Sequence, residues 1–207
     1  MKFTSDDAAT LQRIMQWRRD VRHFRPDPVA PDLIDKLAAS MDMAPSVGNS
    51  RPWRVMRVQD PDRRQRIADL FAQSNAVAAA TYPDADRDAY LALKLAGLQE
   101  APEHLAVFSV PDPAAGRGLG RQTMPETVVY STVMAMYALW LTARAENLGL
   151  GWVSILDPQA AAATLDAPSD WQFVGYLCLG YAEFVDDTPL LHRSGWQINT
   201  VQPWLTR

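Results

Sequence analysis

The sequence predicts an α+β fold in which helices pack on a mixed β-sheet. Short apolar runs indicate about four strands, and longer amphipathic segments indicate helices that occur in pairs between strands. A parallel α/β sheet would instead show strict alternation of strand and helix. The chain of 207 residues has no repeat, no low-complexity tract and no linker long enough to separate two units. We therefore expect a single domain over residues 1–207.

The first third of the chain predicts two helices and one strand. Ser5 and Asp6 are suitable N-caps for the first helix, which the prolines after residue 25 bring to an end. Pro31 opens the second helix. Residues 53–58 alternate between apolar and polar side chains, as a half-buried strand does, and Asp60 can cap the next helix.

The remaining residues predict further helices and three more strands. Helical patterns cover residues 63–81, 86–99, 125–147 and 158–165, with a break at Tyr82 and Pro83 and a stop at Gly149. Strands are predicted at residues 104–110, 152–156 and 173–182.

Two apolar segments suggest contacts beyond a simple core. The run over residues 128–143 is nearly uncharged, so we expect a helix covered on all sides, at the centre of the fold or in a dimer interface. Residues 183–207 form an apolar but irregular arm. Such an arm is expected to pack against something, and a partner subunit is one candidate.

Composition excludes several classes of partner. The formal net charge is -4, from 20 Lys and Arg against 24 Asp and Glu, and no polybasic stretch is present. Nucleic acids and anionic membranes require clustered positive charge, so neither is expected as a partner. As a helix, residues 128–143 would span about 24 Å, short of the roughly 30 Å of a bilayer core. The first ten residues lack the apolar region of a secretory signal, so we expect a cytoplasmic location.

Several motifs of known chemistry are missing. His23, His104 and His192 lie far apart without the spacing of zinc ligands, so no metal site is predicted. Neither a G-x-S-x-G elbow nor a P-loop is present. Cys178 is the single cysteine and lies in an apolar run, which predicts a buried core thiol.

Three segments could carry chemistry. RRDVR at residues 18–22 places Arg18 and Arg22 four residues apart, on one face if helical, where they could grip a phosphate. APSVGNSRPW at residues 44–53 could bring backbone amides and Ser50 close to a planar ligand. GLGWVSIL at residues 149–156 places Ser154 in a predicted strand. Taken singly, each segment has an ordinary explanation: a solvated helix end, a connecting loop, and a serine bonded to backbone.

Together these segments resemble the flavin-binding framework of the nitroreductase superfamily. A narrower resemblance is to the BluB flavin destructases, the aerobic 5,6-dimethylbenzimidazole synthases, and it extends over residues 17–196. It rests on three motifs: RRDVRHF at residues 18–24, GRQTMPE at 120–126 and GWVSILDP at 151–158. Ordinary nitroreductases commonly have Ser or Thr in place of Asp20. Arg51 departs from the usual N-S-Q-P-W pattern, in which a glutamine contacts the flavin ring.

The resemblance implies a nitroreductase-like FMN-binding fold with a mainly antiparallel sheet. It also implies a homodimer, with the arm of residues 183–207 packing on the partner subunit. No metal is implied. The helix over residues 90–99 and the loop over residues 116–124 are expected to form a lid over the flavin.

The resemblance also assigns the site residues. The flavin-binding residues that it implies are Arg18, Arg19, Asp20, Val21, Arg22, Ser50, Val153, Ser154 and Arg193. The catalytic residues are expected to be Asp20, as general base or proton shuttle near the ribityl C1′ carbon, and Ser154, as a hydrogen-bonding partner that orients the peroxide or the oxidised intermediate. The arginines favour an ionised Asp20 and burial opposes it, and the sequence leaves that balance open.

The implied reaction consumes reduced FMN and O2 and forms 5,6-dimethylbenzimidazole, the lower ligand of cobalamin. Flavin is then a substrate rather than a retained cofactor. The sequence shows no obvious nicotinamide site, so the reduced flavin is expected from a separate flavin reductase or as free FMNH2. Two alternatives stay open: an NAD(P)H-dependent FMN nitroreductase or quinone reductase, and a non-catalytic flavin-binding protein.

Overall fold

Four strands form one antiparallel sheet at the centre of the computed structural model, which describes residues 1–92 and 96–207. The strands are β1 (Trp53–Arg57), β2 (Glu103–Ser109), β3 (Gly149–Val153) and β4 (Gln172–Gly180). Their order in the sheet is β1-β2-β4-β3, so β1 and β3 are the two edges. A parallel bridge between Asp20 and Leu150 makes the sheet mixed. The predicted fold class is confirmed.

Helices cover both faces of this sheet. They are α1 (Ser5–Trp17), α2 (Pro31–Met41), α3 (Pro61–Ala80), α4 (Asp84–Ala92), α5 (Gly97–Glu100), α6 (Thr127–Ala145), α7 (Pro158–Thr164) and α8 (Leu190–Arg193). A single 3-10 turn, Val47–Asn49, precedes β1. Asp60 caps α3 as predicted, by accepting from two backbone N–H groups of its first turn. For α1 the prediction was wrong: Thr4 is the N-cap, in a reciprocal capping box with Asp7.

Alternating residues of β2 divide the core into two layers. Leu105 and Val107 face α2 and α6, whereas Ala106 and Phe108 face α3 and α7. Cys178 belongs to the second layer and is buried as predicted. Burial raises the pKa of its thiol to about 12, so the group stays protonated at neutral pH.

The long apolar helix α6 is not covered on all sides within one subunit. Its buried face packs on the sheet through residues such as Met136 and Leu139. Its other side leaves Tyr130 55%, Met134 47% and Tyr137 37% exposed. The apolar run was expected at the centre of the fold or in a dimer interface. An uncovered apolar face is typical of an interface between chains and favours the second explanation.

Two boundaries near α6 and β3 differ from prediction. Helix α6 ends at Ala145, and Asn147 takes the left-handed conformation, with φ 61°, that Gly149 was expected to supply. Strand β3 then begins at Gly149 rather than at Trp152, because its residues pair with β4 from Gly180 onward.

Within the described ranges, no helix is long and apolar enough to span a bilayer.

Candidate functional site

The arginine-rich segment, residues 18–24, is extended rather than helical. Helix α1 ends at Trp17, and the predicted shared helical face of Arg18 and Arg22 is therefore wrong. The Arg19 guanidinium ends the helix by donating to the carbonyls of its last turn, including Met15 O at 3.2 Å. Beyond it, the Val21 N–H donates to Leu150 O at 3.0 Å. Pairing with the open edge of β3 thus replaces helical hydrogen bonds.

Gly151 allows this close approach of the arginine-rich segment to β3. A Cβ atom at Gly151 would lie 2.1 Å from Val21 O, far inside van der Waals contact. A backbone can approach this closely only where the neighbouring strand carries no side chain. The glycine of the GWVSILDP motif therefore has a structural role, which is to seat Asp20 against the strand.

Asp20 is fixed by two contacts and remains open on one side. Its Oδ1 accepts a hydrogen bond from the Trp152 N–H at 2.9 Å, and its Oδ2 lies 3.7 Å from Arg22 Nε. The side chain is 37% exposed, toward the cavity described below. The pKa of Asp20 is raised, because desolvation of the carboxyl outweighs the Trp152 hydrogen bond and the nearby arginines. The sequence left open whether the arginines or burial would decide the ionisation of Asp20, and burial has the larger effect.

Ser154 lies just beyond the end of β3, near the Trp152 N–H that binds Asp20. It follows the last residue of the strand and is exposed, so the prediction of a strand serine was one residue too long. It comes two positions after Trp152, which limits the distance between their Cα atoms to about 7 Å. The Val153 side chain is buried in the core, and its backbone alone is available to a ligand.

A cavity of about 470 Å³ lies between the arginine-rich segment and the C-terminal part of the chain. Its volume falls in the range of small-molecule sites. It brings together five of the predicted flavin-binding residues: Arg19, Asp20, Val21, Arg22 and Arg193. Phe184, Val185 and Asp186 also line it, and no sequence pattern pointed to these three.

Arg18 lies beside this cavity, against α6. Its guanidinium stacks on the rings of Trp140 at 4.8 Å and Tyr137 at 5.8 Å. Such stacking holds the planar charge in place while leaving its N–H groups to other acceptors. Arg18 also contributes to the charge around Asp20.

Three predicted flavin ligands have buried polar atoms that lack a protein partner. Arg18 Nε, Arg19 Nε and Ser50 Oγ are buried without a hydrogen bond to any part of the chain that the structure describes. Buried polar atoms are normally paired, and leaving one unpaired is unfavourable. A ligand that offers phosphate and ring acceptors would satisfy the two arginines, so the arginine-rich part of the site fits FMN.

Ser50 lies far from Asp20 within one subunit. It precedes β1, at one edge of the sheet, whereas Asp20 pairs outside β3, at the other edge. In the strand register, Trp53 is level with Ser109 at one end of β2, and the Asp20 bridge is level with Glu103 at the other end. With strands about 4.8 Å apart and residues about 3.3 Å apart, the separation is on the order of 25 Å.

Of the two expected lid elements, the helical one reaches the arginine-rich segment, where Gly97 packs against Phe24, and the loop lies near Ser50. The loop over residues 116–124 packs on it: a Cβ atom at Gly116 would lie 3.0 Å from Ser50 Cβ. Arg51, which replaces the glutamine of the usual motif, is exposed. Its Nη1 lies 3.9 Å from Oδ1 of Asp42. The second lid element, residues 90–99, includes the ends of α4 and α5, and its residues 93–95 lie outside the described part.

The residues described contain no group of three or more His, Cys, Asp or Glu side chains that could hold a metal ion.

Sequence reasoning also missed the role of Trp152, whose main-chain N–H fixes Asp20. A backbone hydrogen bond of this kind leaves no mark on residue type, so no local pattern could have revealed it.

Comparison with known proteins is consistent with this geometry. The family model described as Nitroreductase family matches residues 15–181. A protein named 5,6-dimethylbenzimidazole synthase from Rhodobacter capsulatus is 55% identical over 207 residues, the full length of both chains. Another of that name, from Rhodospirillum rubrum, is 52% identical over 197 residues, 95% of this chain and 93% of the relative.

Solved structures share the fold at low identity. Iodotyrosine deiodinase bound to FMN and 3-iodo-L-tyrosine superposes with a TM-score of 0.73 at 19% identity, over 95% of this chain and 97% of that one. A nitroreductase family protein from Clostridium difficile 630 gives 0.65 at 16% identity, over 93% and 91% of the two chains. With its matched residues, its full-length relatives and its four-stranded architecture, the chain belongs to the nitroreductase family.

Proposed function

We propose that this protein is a 5,6-dimethylbenzimidazole synthase that consumes reduced FMN and O2. The observation that carries the proposal is the hydrogen bond from the Trp152 N–H to Asp20 Oδ1, at 2.9 Å. It fixes a carboxyl group in the wall of an arginine-rimmed cavity. The full-length similarity to proteins of that name supports the same reaction.

The side chains around the cavity divide the work of binding. Arg19, Arg22 and Arg193 line it and supply positive charge to a phosphate group, and Arg18 adds its charge from the side of α6. When bound, reduced FMN supplies the electrons for O2 and the carbon atoms of the product. A separate flavin reductase, or free reduced flavin, is the source of those electrons.

Asp20 and Ser154 act on protons in this proposal. Oδ1 of Asp20 is engaged by the Trp152 N–H, so Oδ2 is the oxygen that accepts a proton from the ribityl C1′ carbon. The raised pKa makes Asp20 a stronger base than an exposed aspartate, which suits proton abstraction near neutral pH. The exposed Ser154 hydroxyl donates a hydrogen bond that orients the reacting group.

Product formation after a single exposure to air tests the proposal. The protein is mixed with chemically reduced FMN under argon, air is admitted, and 5,6-dimethylbenzimidazole is measured by chromatography. The wild type is expected to form product. Asp20→Asn is expected to lose at least about 100-fold in rate, as removal of a general base does. Ser154→Ala is expected to lower the rate about tenfold, because one hydrogen bond to the reacting group is lost.

Asp27→Asn and Ser169→Ala are matched controls. Asp27 forms an exposed ion pair with Arg25 outside the cavity, and Ser169 is exposed in a loop. Both controls are expected to form product at the wild-type rate. If the wild type only reoxidises the flavin, the synthase assignment is wrong. Steady NAD(P)H oxidation with a nitroaromatic or quinone and unaltered FMN would instead support the reductase alternative.

A homodimer completes the site in this proposal. Ser50 and Asp20 are on the order of 25 Å apart in one chain, too far for both to contact one flavin ring. Two subunits that pair through the uncovered face of α6, with Tyr130 and Met134 exposed, could bring Ser50 of one chain to Asp20 of the other. The buried, unpaired Ser50 hydroxyl then meets its acceptor on a ligand bound by both chains.

The C-terminal arm supports the same dimer. Val201, Trp204 and Leu205 are 93%, 99% and 77% exposed, which is unusual for apolar side chains. An apolar groove of about 350 Å³ lies between α2 and the edge strand β1. The arm of a partner subunit would fill this groove and cover the open edge of β1.

A further inference from the structure

The outer wall of the cavity is a strap, residues 184–193, that begins where pairing with the arginine-rich segment ends. Phe24 and Ala182 form an antiparallel bridge, and the Glu183 N–H donates to His23 O at 3.0 Å. Beyond this point the two segments separate, and the cavity lies between them.

Asp186 connects the strap backbone to the Arg193 side chain. Its Oδ1 accepts a hydrogen bond from the Thr188 N–H at 2.7 Å, and its Oδ2 lies 3.0 Å from Arg193 Nε. Both carboxylate oxygens are therefore engaged, one by the strap backbone and the other by the guanidinium. Arg193 belongs to α8, a helix of four residues, and its side chain is 48% exposed.

The neighbouring residue, Asp187, contacts α1 rather than Arg193. Its Oδ2 accepts a hydrogen bond from Gln16 Nε2 at 3.1 Å, and its Oδ1 accepts one from Thr188 Oγ1 at 2.9 Å. These contacts join the strap to the last turn of α1. The anchoring of the strap thus depends on Asp187, and the orientation of Arg193 depends on Asp186.

We propose that Asp186 is a positioning residue that holds Arg193 in the cavity and thereby sets the preference for a phosphorylated flavin over riboflavin. An exposed arginine on a short helix samples many rotamers, and ordering it on binding weakens affinity. The ion pair with Asp186 orders it beforehand. Three arginines still outnumber Asp20 and Asp186 around the cavity, so an anion remains favoured there.

This inference rests on the proposed function only in that FMN is the ligand, and equilibrium binding tests it without turnover. Oxidised FMN and riboflavin are titrated separately into the wild type, Asp186→Ala, Arg193→Ala and the double variant, with flavin fluorescence as the readout. Asp170→Ala removes one exposed acid away from the cavity and controls for net charge.

Asp186→Ala is expected to weaken FMN binding about five- to tenfold, as loss of one pre-ordered side chain does. Arg193→Ala is expected to weaken it by at least tenfold, through the lost charge-assisted contact. Riboflavin binding should change less than about twofold in both variants. In the Arg193→Ala background, adding Asp186→Ala should have almost no effect, because no guanidinium remains to be positioned.

Three results would overturn the inference. Equal weakening of FMN and riboflavin would show that Asp186 merely supports the strap. An effect of Asp186→Ala that persists without Arg193 would show that it acts by another route. Tighter FMN binding in Asp186→Ala would show that the carboxylate only repels phosphate. If the wild type binds neither flavin, the proposed function is contradicted as well. If the wild type binds FMN and one of the three results is found, only the positioning role of Asp186 is wrong.

Discussion

Asp20 and Trp152 are joined by a hydrogen bond of 2.9 Å, from the main-chain N–H of Trp152 to Oδ1 of Asp20. The bond links two segments that lie more than a hundred residues apart in sequence. It orients the carboxyl group from the backbone of β3, so side-chain changes at Trp152 leave the donor in place. The position of the proposed base therefore depends on how closely the arginine-rich segment approaches β3.

Gly151→Ala tests that dependence. A Cβ atom at this position would lie 2.1 Å from Val21 O, so either β3 or the arginine-rich segment has to move. We expect the free energy of unfolding to fall by about 1–3 kcal/mol, as overpacked sites do. We also expect FMN affinity to fall at least tenfold, measured by flavin titration, because Asp20, Arg19 and Arg22 shift together.

Gly118→Ala is the control for this prediction. Its added Cβ meets nothing within 4 Å, but its φ of 74° makes any side chain strained. The expected loss of stability is about 1 kcal/mol, with the cavity of the arginine-rich segment unchanged. If the two variants lost FMN affinity to the same extent, the close approach at Gly151 would not be what aligns the site.

The sequence patterns predicted those parts of the fold that local periodicity determines. Strand β1 begins at Trp53 as predicted, and α2 begins at Pro31, because both depend on apolar spacing and proline within a few residues. The conformation of residues 18–24 could not be found in this way. Its hydrogen bonds come from Leu150 and Trp152, and a local pattern contains no information about such distant partners. The same limit applies to Asp186 and to the ionisation of Asp20.

Asp20→Asn should stabilise the protein at alkaline pH. A carboxyl group whose pKa is raised in the folded state binds protons more tightly there than in the unfolded chain, so its ionisation disfavours folding. Stability from this group is complete below the unfolded pKa of about 3.9 and is lost as pH rises through the folded pKa. Asparagine mimics the protonated form, so its melting temperature should exceed that of the wild type at pH 8 and match it near pH 4.

Asp27→Asn removes the same charge from an exposed ion pair and provides the comparison for melting. It should change stability by no more than about 1 kcal/mol at either pH. An Asp20→Asn protein that is less stable than the wild type at pH 8 would show that the Arg22 contact outweighs burial. The activity loss of the same variant is expected in either case.

His104 should make the protein sensitive to acid. It is 1% exposed, and its Nδ1 lies 2.9 Å from the Tyr176 hydroxyl. Burial, with a smaller contribution from Arg64, lowers its pKa to about 4. The unfolded chain therefore binds the proton more tightly, and stability falls as pH drops from about 6.5 to about 4. A shift of this size corresponds to about 3 kcal/mol at the acid end.

Urea unfolding at pH 7 and pH 4.5 measures this contribution. The double variant His104→Phe, Tyr176→Phe removes the titrating ring and its partner together, so neither polar group is left unpaired. It should lose less stability between the two pH values than the wild type does. Tyr176→Phe alone keeps the histidine and should retain the wild-type sensitivity. Equal losses in the wild type and the double variant would assign the acid sensitivity to other groups.

Mixed dimers test whether Ser50 and Asp20 of different subunits complete one site. Asp20→Asn should be nearly inactive, and Ser50→Ala should retain about a tenth of the rate at low FMN concentration, because one buried hydrogen bond to the ligand is lost. A dimer with one subunit of each kind contains one site with both changes and one site with neither. Differently tagged subunits, co-expressed and purified through both tags, should therefore show about half the wild-type rate of product formation. If each site were built from a single chain, the mixed dimer would give only the mean of its two parents, about a twentieth of the wild-type rate.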